Sequence, residues 1–126
     1  MLLPPAAIAE APTSVAGMKR HRRVLILAAP AATDPSFTEQ RRALASWRKE
    51  GEDRDVTIVE VVGDRASGAT DAAAALRQRW ALRRDHFTAI LIGKDGHEAF
   101  RTDKPFAADG LTRTIDAMPM RRAGQR

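Results

Sequence analysis

The segment Phe87-Thr-Ala-Ile-Leu-Ile-Gly-Lys-Asp-Gly96 constrains the fold of this chain more than any other. Its apolar run predicts a buried strand, and its Asp-Gly pair predicts a tight hairpin that leads into a shorter strand over residues 97–101. A hairpin at this position fixes the second half of a sheet as antiparallel. The elements that precede the hairpin decide the rest of the fold.

Two earlier apolar runs, 24–29 and 56–62, predict strands that are buried in a sheet. Between them, Asp34 followed by Pro35 has the pattern of a helix N-cap with proline at the first helical position. We expect this helix to continue to about residue 50 and to break at Gly51. Because a helix connects the two strands, we expect them to pair in parallel.

The rest of the chain predicts two more helices. Residues 63–68 contain two glycines but no phosphate-binding lysine, so we interpret them as a flexible connection. Asp71 is predicted to cap a helix over residues 72–82. Apolar residues at helical spacing predict a last helix over residues 107–118.

The order of elements is therefore βαβ followed by ββα, which is the minimum of a thioredoxin-like fold. We predict a single α/β domain over residues 19–122, with a central mixed four-stranded sheet flanked by helices. Residues 1–18 are interpreted as a disordered leader that resembles a degenerate signal segment without a basic start. Residues 123–126 are interpreted as a tail.

The chain has no cysteine. Thiol–disulfide exchange and thiol peroxidation both need a thiolate, so neither reaction is available to these residues. The leading hypothesis is therefore a non-redox module that binds a protein or a small molecule. The alternative is a thiol-independent enzyme at the vacated thioredoxin site, with His86 as the proton-transfer group and Asp34 or Thr88 beside it. Thr33, Asp34, His86 and Thr88 are the binding candidates at that place.

Metal and cofactor chemistry receive no support from the sequence. The three histidines show no metal-ligand spacing, so we expect no metal site. The sequence contains no glycine fingerprint of a nucleotide-binding fold, and we expect no cofactor.

Seven of the 21 basic residues lie near the two ends of the chain, whereas the body between them is close to neutral. In the predicted topology, Lys94 and the basic residues at both ends converge at one end of the sheet. We expect the acidic residues between 50 and 55 to neutralise much of this basic patch. Because basic ends are more often solvated termini than binding arms, nucleic acid is an unlikely partner, and electrostatic binding of nucleic acid or anionic surfaces is kept as the third hypothesis. No apolar stretch approaches the length that spans a membrane, so we expect no membrane insertion.

Residues 23–122 also resemble a known family. The resemblance is carried by Arg23-Val-Leu-Ile-Leu-Ala-Ala-Pro30, Asp34-Pro35, Gln40, Asp53-Arg-Asp-Val56, Phe87-Thr88, Leu91-Ile-Gly-Lys-Asp-Gly96 and Ile115-Asp-Ala-Met-Pro-Met-Arg-Arg122. On these segments the chain resembles domain-of-unknown-function family 4174 (P-DUDES), a thioredoxin-like domain without the catalytic cysteines. The last two segments are the most specific.

The resemblance implies a fold and a setting but no reaction. It implies a thioredoxin-like domain of bacterial proteins and of animal extracellular-matrix proteins, and hence a periplasmic or secreted protein. The N-terminal segment alone favours the cytoplasm. The resemblance singles out the motif residues Gly93, Lys94, Asp95, Gly96, Asp116, Met118 and Arg121. The chain departs from the family at Ala99, where a basic residue is usual.

Overall fold

The computed structural model describes residues 13–125. Its secondary structure comprises a 3-10 helix at Ala16–Met18, five α-helices and five strands. The strands are β1 (Arg23–Ala29), β2 (Val56–Val62), β3 (Arg65–Ser67), β4 (Thr88–Ile92) and β5 (Glu98–Thr102). The helices are α1 (Pro35–Ala45), α2 (Arg48–Asp53), α3 (Ala73–Trp80), α4 (Ala108–Asp116) and α5 (Pro119–Arg122).

The sheet is mixed and has the strand order β3-β2-β1-β4-β5. β1 pairs with β2 in parallel and with β4 antiparallel, as predicted. β4 and β5 form the predicted antiparallel hairpin. All seven residues of β1 are buried because this strand lies in the middle of the sheet with helices on both faces. The starts of β1 and β2 and the β4–β5 turn therefore share one end of the sheet, called here the hairpin end. The other end is called the far end.

The alternation of β1 divides the core into two layers. Val24, Ile26 and Ala28 face α3 and the N-terminal segment, whereas Leu25 and Leu27 face α1, Trp47 and α4. Burial of aliphatic and aromatic side chains on both faces is the main source of stability for such a domain.

The sheet has five strands rather than the four predicted. Residues 65–67, assigned to a flexible connection from the sequence, form β3 and pair antiparallel with the end of β2. Gly63, with a φ of 56°, opens the two-residue turn between these strands. The strand is short, polar and largely exposed, so no apolar alternation announced it.

The first predicted helix is divided in two, and the prediction that it breaks at Gly51 is wrong. α1 ends at Ala45, and α2 contains Gly51. The break lies before Trp47, whose indole Nε1 donates to Thr112 Oγ1 at 2.8 Å. Gly51 is buried directly against the Trp47 ring, where an added Cβ would lie 2.7 Å from a ring carbon. The glycine thus makes room for the indole and does not end a helix.

Two other helix boundaries differ from the predictions. α3 begins at Ala73 without a side-chain cap, because Asp71 Oδ1 instead accepts from the backbone N of Val15 at 2.8 Å. The helix predicted over residues 107–118 is α4, and it ends at Asp116, because Met118 precedes Pro119 and proline disfavours helical backbone in the residue before it.

The packed region starts earlier than predicted. Val15 and Met18, assigned to the leader from the sequence, are buried in the core beside α3. Residues 1–12 of the predicted leader lie outside the described residues. Within residues 13–125, no helix combines the length and apolar character needed to cross a membrane.

Candidate ligand-binding site at the hairpin end

The turn between β4 and β5 is held by its own hydrogen bonds. Gly93 N donates to His97 O at 2.9 Å, and Asp95 Oδ1 accepts from His97 N at 2.9 Å. This backbone hydrogen bond is the main cause that lowers the pKa of the Asp95 carboxyl. Gly96 has a φ of 81° and carries the stem of Lys19 against it, so a side chain at this position would be strained and crowded. The turn is therefore a rigid edge of the site.

Lys94 does not point away from the protein, as a lysine in an exposed turn would. Its Nζ lies 2.7 Å from Asp55 Oδ2, and the two side chains are 7% and 16% exposed. Asp55 adopts a φ of 54°, which turns the chain between α2 and β2 and brings this carboxylate beneath the hairpin. A cation buried to this degree needs such a partner, since its desolvation costs several kcal/mol.

Arg23 is the second buried cation at the hairpin end, with 1% exposure. Its Nη1 donates to Arg54 O at 2.7 Å, and its Nε donates to Met118 Sδ at 3.3 Å. The extended backbone of Met118 before Pro119 brings this sulfur towards the start of β1. Arg23 thereby connects β1, the end of α2 and the segment between α4 and α5.

Asp116 connects the last two helices to the loop before β2. Its two carboxylate oxygens accept from Arg54 Nε and Nη2 at 2.9 and 3.1 Å, and Oδ1 also accepts from Arg121 Nε at 3.3 Å. Arg121 Nη2 reaches Asp53 Oδ2 at 2.8 Å. The hydrogen bonds from Arg54, followed by those from Arg121, lower the pKa of Asp116, while Asp53 and then Asp116 raise the pKa of Arg121.

The lowered pKa of Asp116 gives a pH-dependent contribution to stability. It is present above the ordinary carboxyl pKa of about 4 and is lost as the pH falls through the lower pKa of the folded state. We expect Asp116→Asn to flatten the fall in unfolding free energy below about pH 4. The measurement is urea unfolding between neutral and acid pH. Asp103→Asn, a substitution in an exposed loop, is the control. If the unfolding free energy falls equally at acid pH in the two variants, the contribution assigned to Asp116 is contradicted.

Three adjoining depressions surround the hairpin. The first, of about 290 Å³, is lined by Met118, Pro119, Met120 and Ala99 above Arg23 and Lys94. The second, of about 420 Å³, shares Met120 and Lys94 with it and adds Lys19 and Arg20. The third, of about 370 Å³, shares Lys19 with the second and extends to Arg79 and Trp80. Asp95 lines all three, so together they form one groove around the turn, called here the hairpin groove.

The motif residues singled out by the resemblance meet at this groove. Gly93, Lys94, Asp95 and Met118 line its first depression. Asp116 and Arg121, far away in sequence from the hairpin, fix the Met118 segment to the loop before β2. Residues from three distant segments are thus brought together at one end of the sheet.

Three cations of the predicted basic patch are paired with carboxylates, in keeping with the expected local neutralisation. Arg22 Nη2 lies 3.1 Å from Glu52 Oε2, and the ion pairs of Lys94 and Arg121 with Asp55 and Asp53 complete the set. Lys19 and Arg20 are different, because their side chains make no hydrogen bond or ion pair with residues 13–125.

The far end of the sheet carries the other sequence candidates. Asp34 caps α1, where its Oδ2 accepts from Phe37 N at 3.0 Å, and Thr33 is exposed in the preceding turn. His86 Nδ1 lies 3.2 Å from Asp85 Oδ1, and its side chain is 40% exposed. Thr88 is buried and pairs with Ala28 in the sheet. Within residues 13–125, the side-chain hydrogen bond of Asp34 and the side-chain ion pair of His86 are both with neighbours in sequence.

A residue missed by the sequence reasoning is buried at the far end of the sheet. Arg77 of α3 is 6% exposed, and its guanidinium donates to the backbone oxygens of Ala29, Gly63 and Arg83 at 2.8 to 3.1 Å. Burial, followed by repulsion from Arg84, lowers its pKa. It ties the ends of β1 and β2 to the loop before β4. Only its place within the apolar stripe of α3 pointed to its burial.

Two other features of the site escaped the sequence reasoning. Asp55 was expected only as one of several neutralising acids, and nothing marked it as the partner of Lys94. Met120 is the one large apolar side chain that is exposed within residues 13–125. The residues that the structure describes contain no group of three or more His, Asp or Glu side chains placed to hold a metal ion.

Comparison with known families identifies one match. The model of a domain of unknown function, DUF4174, matches residues 14–124, which covers the sheet, all the helices and the hairpin groove. A comparison with curated proteins finds no match.

Proposed function

The chain belongs to the DUF4174 family, and we propose that it is a thioredoxin-like binding module that uses the hairpin end, and not the far end, as its ligand site. The thioredoxin-like assignment is supported by the parallel β1–β2 pair, the antiparallel β4–β5 hairpin and helices on both faces of the sheet. In this proposal β3 is an addition to the edge of the sheet.

One observation carries the choice of site. Motif residues from the hairpin and from the segment between α4 and α5 line one depression of about 290 Å³, which has apolar walls and buried cations at its base. Concave, mostly apolar sites with a few fixed polar groups are typical of ligand binding. The flexible, polarizable side chains of Met118 and Met120 suit a surface that adapts to what it binds.

The enzyme alternative at the far end is less well supported. The carboxylate of Asp34 is engaged at the start of α1, where it serves as a helix cap. At the same end, the guanidinium of Arg77 donates to the backbone oxygens of Ala29 and Gly63, where β1 and β2 end. Catalysis by His86 would need a substrate space with a second functional group directed into it, whereas the ion pair of His86 is with the adjacent Asp85.

The proposal is tested by a backbone amide-shift titration of the labelled full chain. The probes are acetate, phosphate, mixed-sequence peptides and short oligonucleotides, each at low and high salt. We expect shifts at residues 93–99 and 118–120. Shifts that cluster at Thr33, Asp34, His86 and Thr88 would overturn the choice of site and favour the enzyme alternative. If none of the probes produces amide shifts at either end of the sheet, that result would also contradict a binding role for the hairpin end.

A further inference from the structure

The hairpin groove has an uneven distribution of charge that indicates what it binds. Its carboxylates are engaged within the chain: Asp71 accepts from Val15 N, Asp95 from His97 N, and Glu98 from Arg101. Glu98 is thereby paired with a cation of the chain, Arg101. The donors to Asp71 and Asp95 are backbone N–H groups, which orient these two carboxylates and leave their charge in place.

Three exposed cations line the groove. Lys19, Arg20 and Arg79 lie along its second and third depressions, and within residues 13–125 none of their side chains has a carboxylate partner. Arg79 lies with its guanidinium 4.2 Å from the centre of the Trp80 ring, which fixes one cation at the edge of the third depression. Opposite charge on a partner is attracted to such a surface.

The shape of the groove favours an extended ligand. The three depressions follow one another, since Lys19 is shared by the third and second and Met120 by the second and first. An extended peptide advances about 3.3 Å per residue, so side chains on one face recur about every 7 Å and can enter successive depressions. A compact small molecule would fill only one of them.

We propose that the hairpin groove binds an extended acidic peptide segment that carries aliphatic side chains. An aliphatic side chain enters the depression formed by Met118, Pro119 and Met120, and carboxylates of the peptide pair with Lys19, Arg20 and Arg79. Burial of the aliphatic group supplies affinity, and the charges select the partner and its orientation. This inference rests on the proposed function and adds the chemistry of the ligand.

The test uses a fluorescein-labelled hexapeptide, Asp-Glu-Leu-Leu-Glu-Asp, and fluorescence anisotropy with the full chain. The comparison probes are Lys-Arg-Leu-Leu-Arg-Lys, Asp-Glu-Ser-Ser-Glu-Asp and a six-nucleotide oligothymidylate. We expect saturable binding of the first peptide only, weakened at about 0.5 M salt because its exposed ion pairs are screened. Binding of the basic peptide with equal affinity, or no binding of the acidic leucine peptide, would overturn the inference. Equal binding of the oligonucleotide would also overturn it, in favour of a general polyanion surface.

Matched variants locate the binding. We expect Lys19→Glu and Arg79→Glu each to weaken the acidic leucine peptide about tenfold, which corresponds to about 1.4 kcal/mol. Arg42→Glu and Arg48→Glu make the same charge change in a separate groove beside α1 and should leave the affinity unchanged. Equal losses in both pairs would contradict the location. Thermal unfolding of each variant verifies that it is folded.

The outcome separates this inference from the proposed function. If the amide-shift titration places small probes at residues 93–99 and 118–120 but the acidic leucine peptide does not bind, the site stands and the peptide inference fails. If all shifts lie at the far end, both fail.

Discussion

Replacing Asp55 with Asn will lower the free energy of unfolding by about 3 kcal/mol, because it leaves Lys94 buried without its charged partner. The Lys94 Nζ and Asp55 Oδ2 atoms are 2.7 Å apart, and neither side chain has more than 16% exposure. Asn tolerates positive φ at least as well as Asp, so the turn at Asp55 keeps its conformation and the loss reports the charge.

The measurement is urea unfolding at neutral pH, monitored by circular dichroism. The matched control is Asp64→Asn, which breaks an ion pair with Arg84 whose acid is 88% exposed, and which should cost less than about 1 kcal/mol. Lys94→Met in the Asp55→Asn background should recover most of the loss, because it removes the unpaired charge. A loss for Asp55→Asn no larger than that for Asp64→Asn would show that Lys94 is not buried against this carboxylate.

Replacing Gly68 with Ala will destabilise the protein by about 3 kcal/mol or more, as expected for backbone strain combined with a clash. Gly68 has a φ of 90°, which is strained for any residue with a Cβ. An added Cβ would also meet the carbonyl oxygen of Ile58 and lie 3.1 Å from Val59 Cα. Both neighbours belong to the backbone of β2, so they cannot move aside as a flexible side chain can.

The control for this prediction is Gly110→Ala in α4. There the nearest atom to an added Cβ is the far end of Arg113, at 3.9 Å, and the backbone is helical. Alanine at this position should stabilise the helix by up to about 1 kcal/mol. Opposite signs for the two glycine substitutions in thermal unfolding are the expected result. A neutral Gly68→Ala would mean that residues 63–68 are the flexible connection that the sequence suggested.

The sequence predicted the elements whose signal is local and strong. β1 and β2 are apolar runs bounded by polar residues, and Asp34 with Pro35 marks the start of α1 through its own hydrogen bond. The features it missed depend on contacts distant in sequence. The position of Gly51 is set by the indole of Trp47, which is in turn fixed by Thr112 of α4. No window of local sequence contains that information.

The candidate site shows the same division. The convergence of Lys94 with the basic residues near both ends followed from the predicted topology, and so did local neutralisation by acids. The pairing of Lys94 with Asp55 did not, because it depends on the positive φ of Asp55 and on the inward rotamer of Lys94. The groove itself depends on Met118 being extended before Pro119, a consequence of proline that the predicted continuous helix overlooked.

The central claim is that ligands bind at the hairpin end. Its most direct test is the amide-shift titration repeated on two matched variants, in each of which one alanine is replaced by leucine. Ala99→Leu fills the first depression of the hairpin groove, and Ala32→Leu adds the same side chain at the exposed turn of the far end. We predict that the shifts at residues 93–99 and 118–120 are lost in Ala99→Leu and retained in Ala32→Leu. Loss of binding in Ala32→Leu, with full binding in Ala99→Leu, would contradict the account and return the site to the far end.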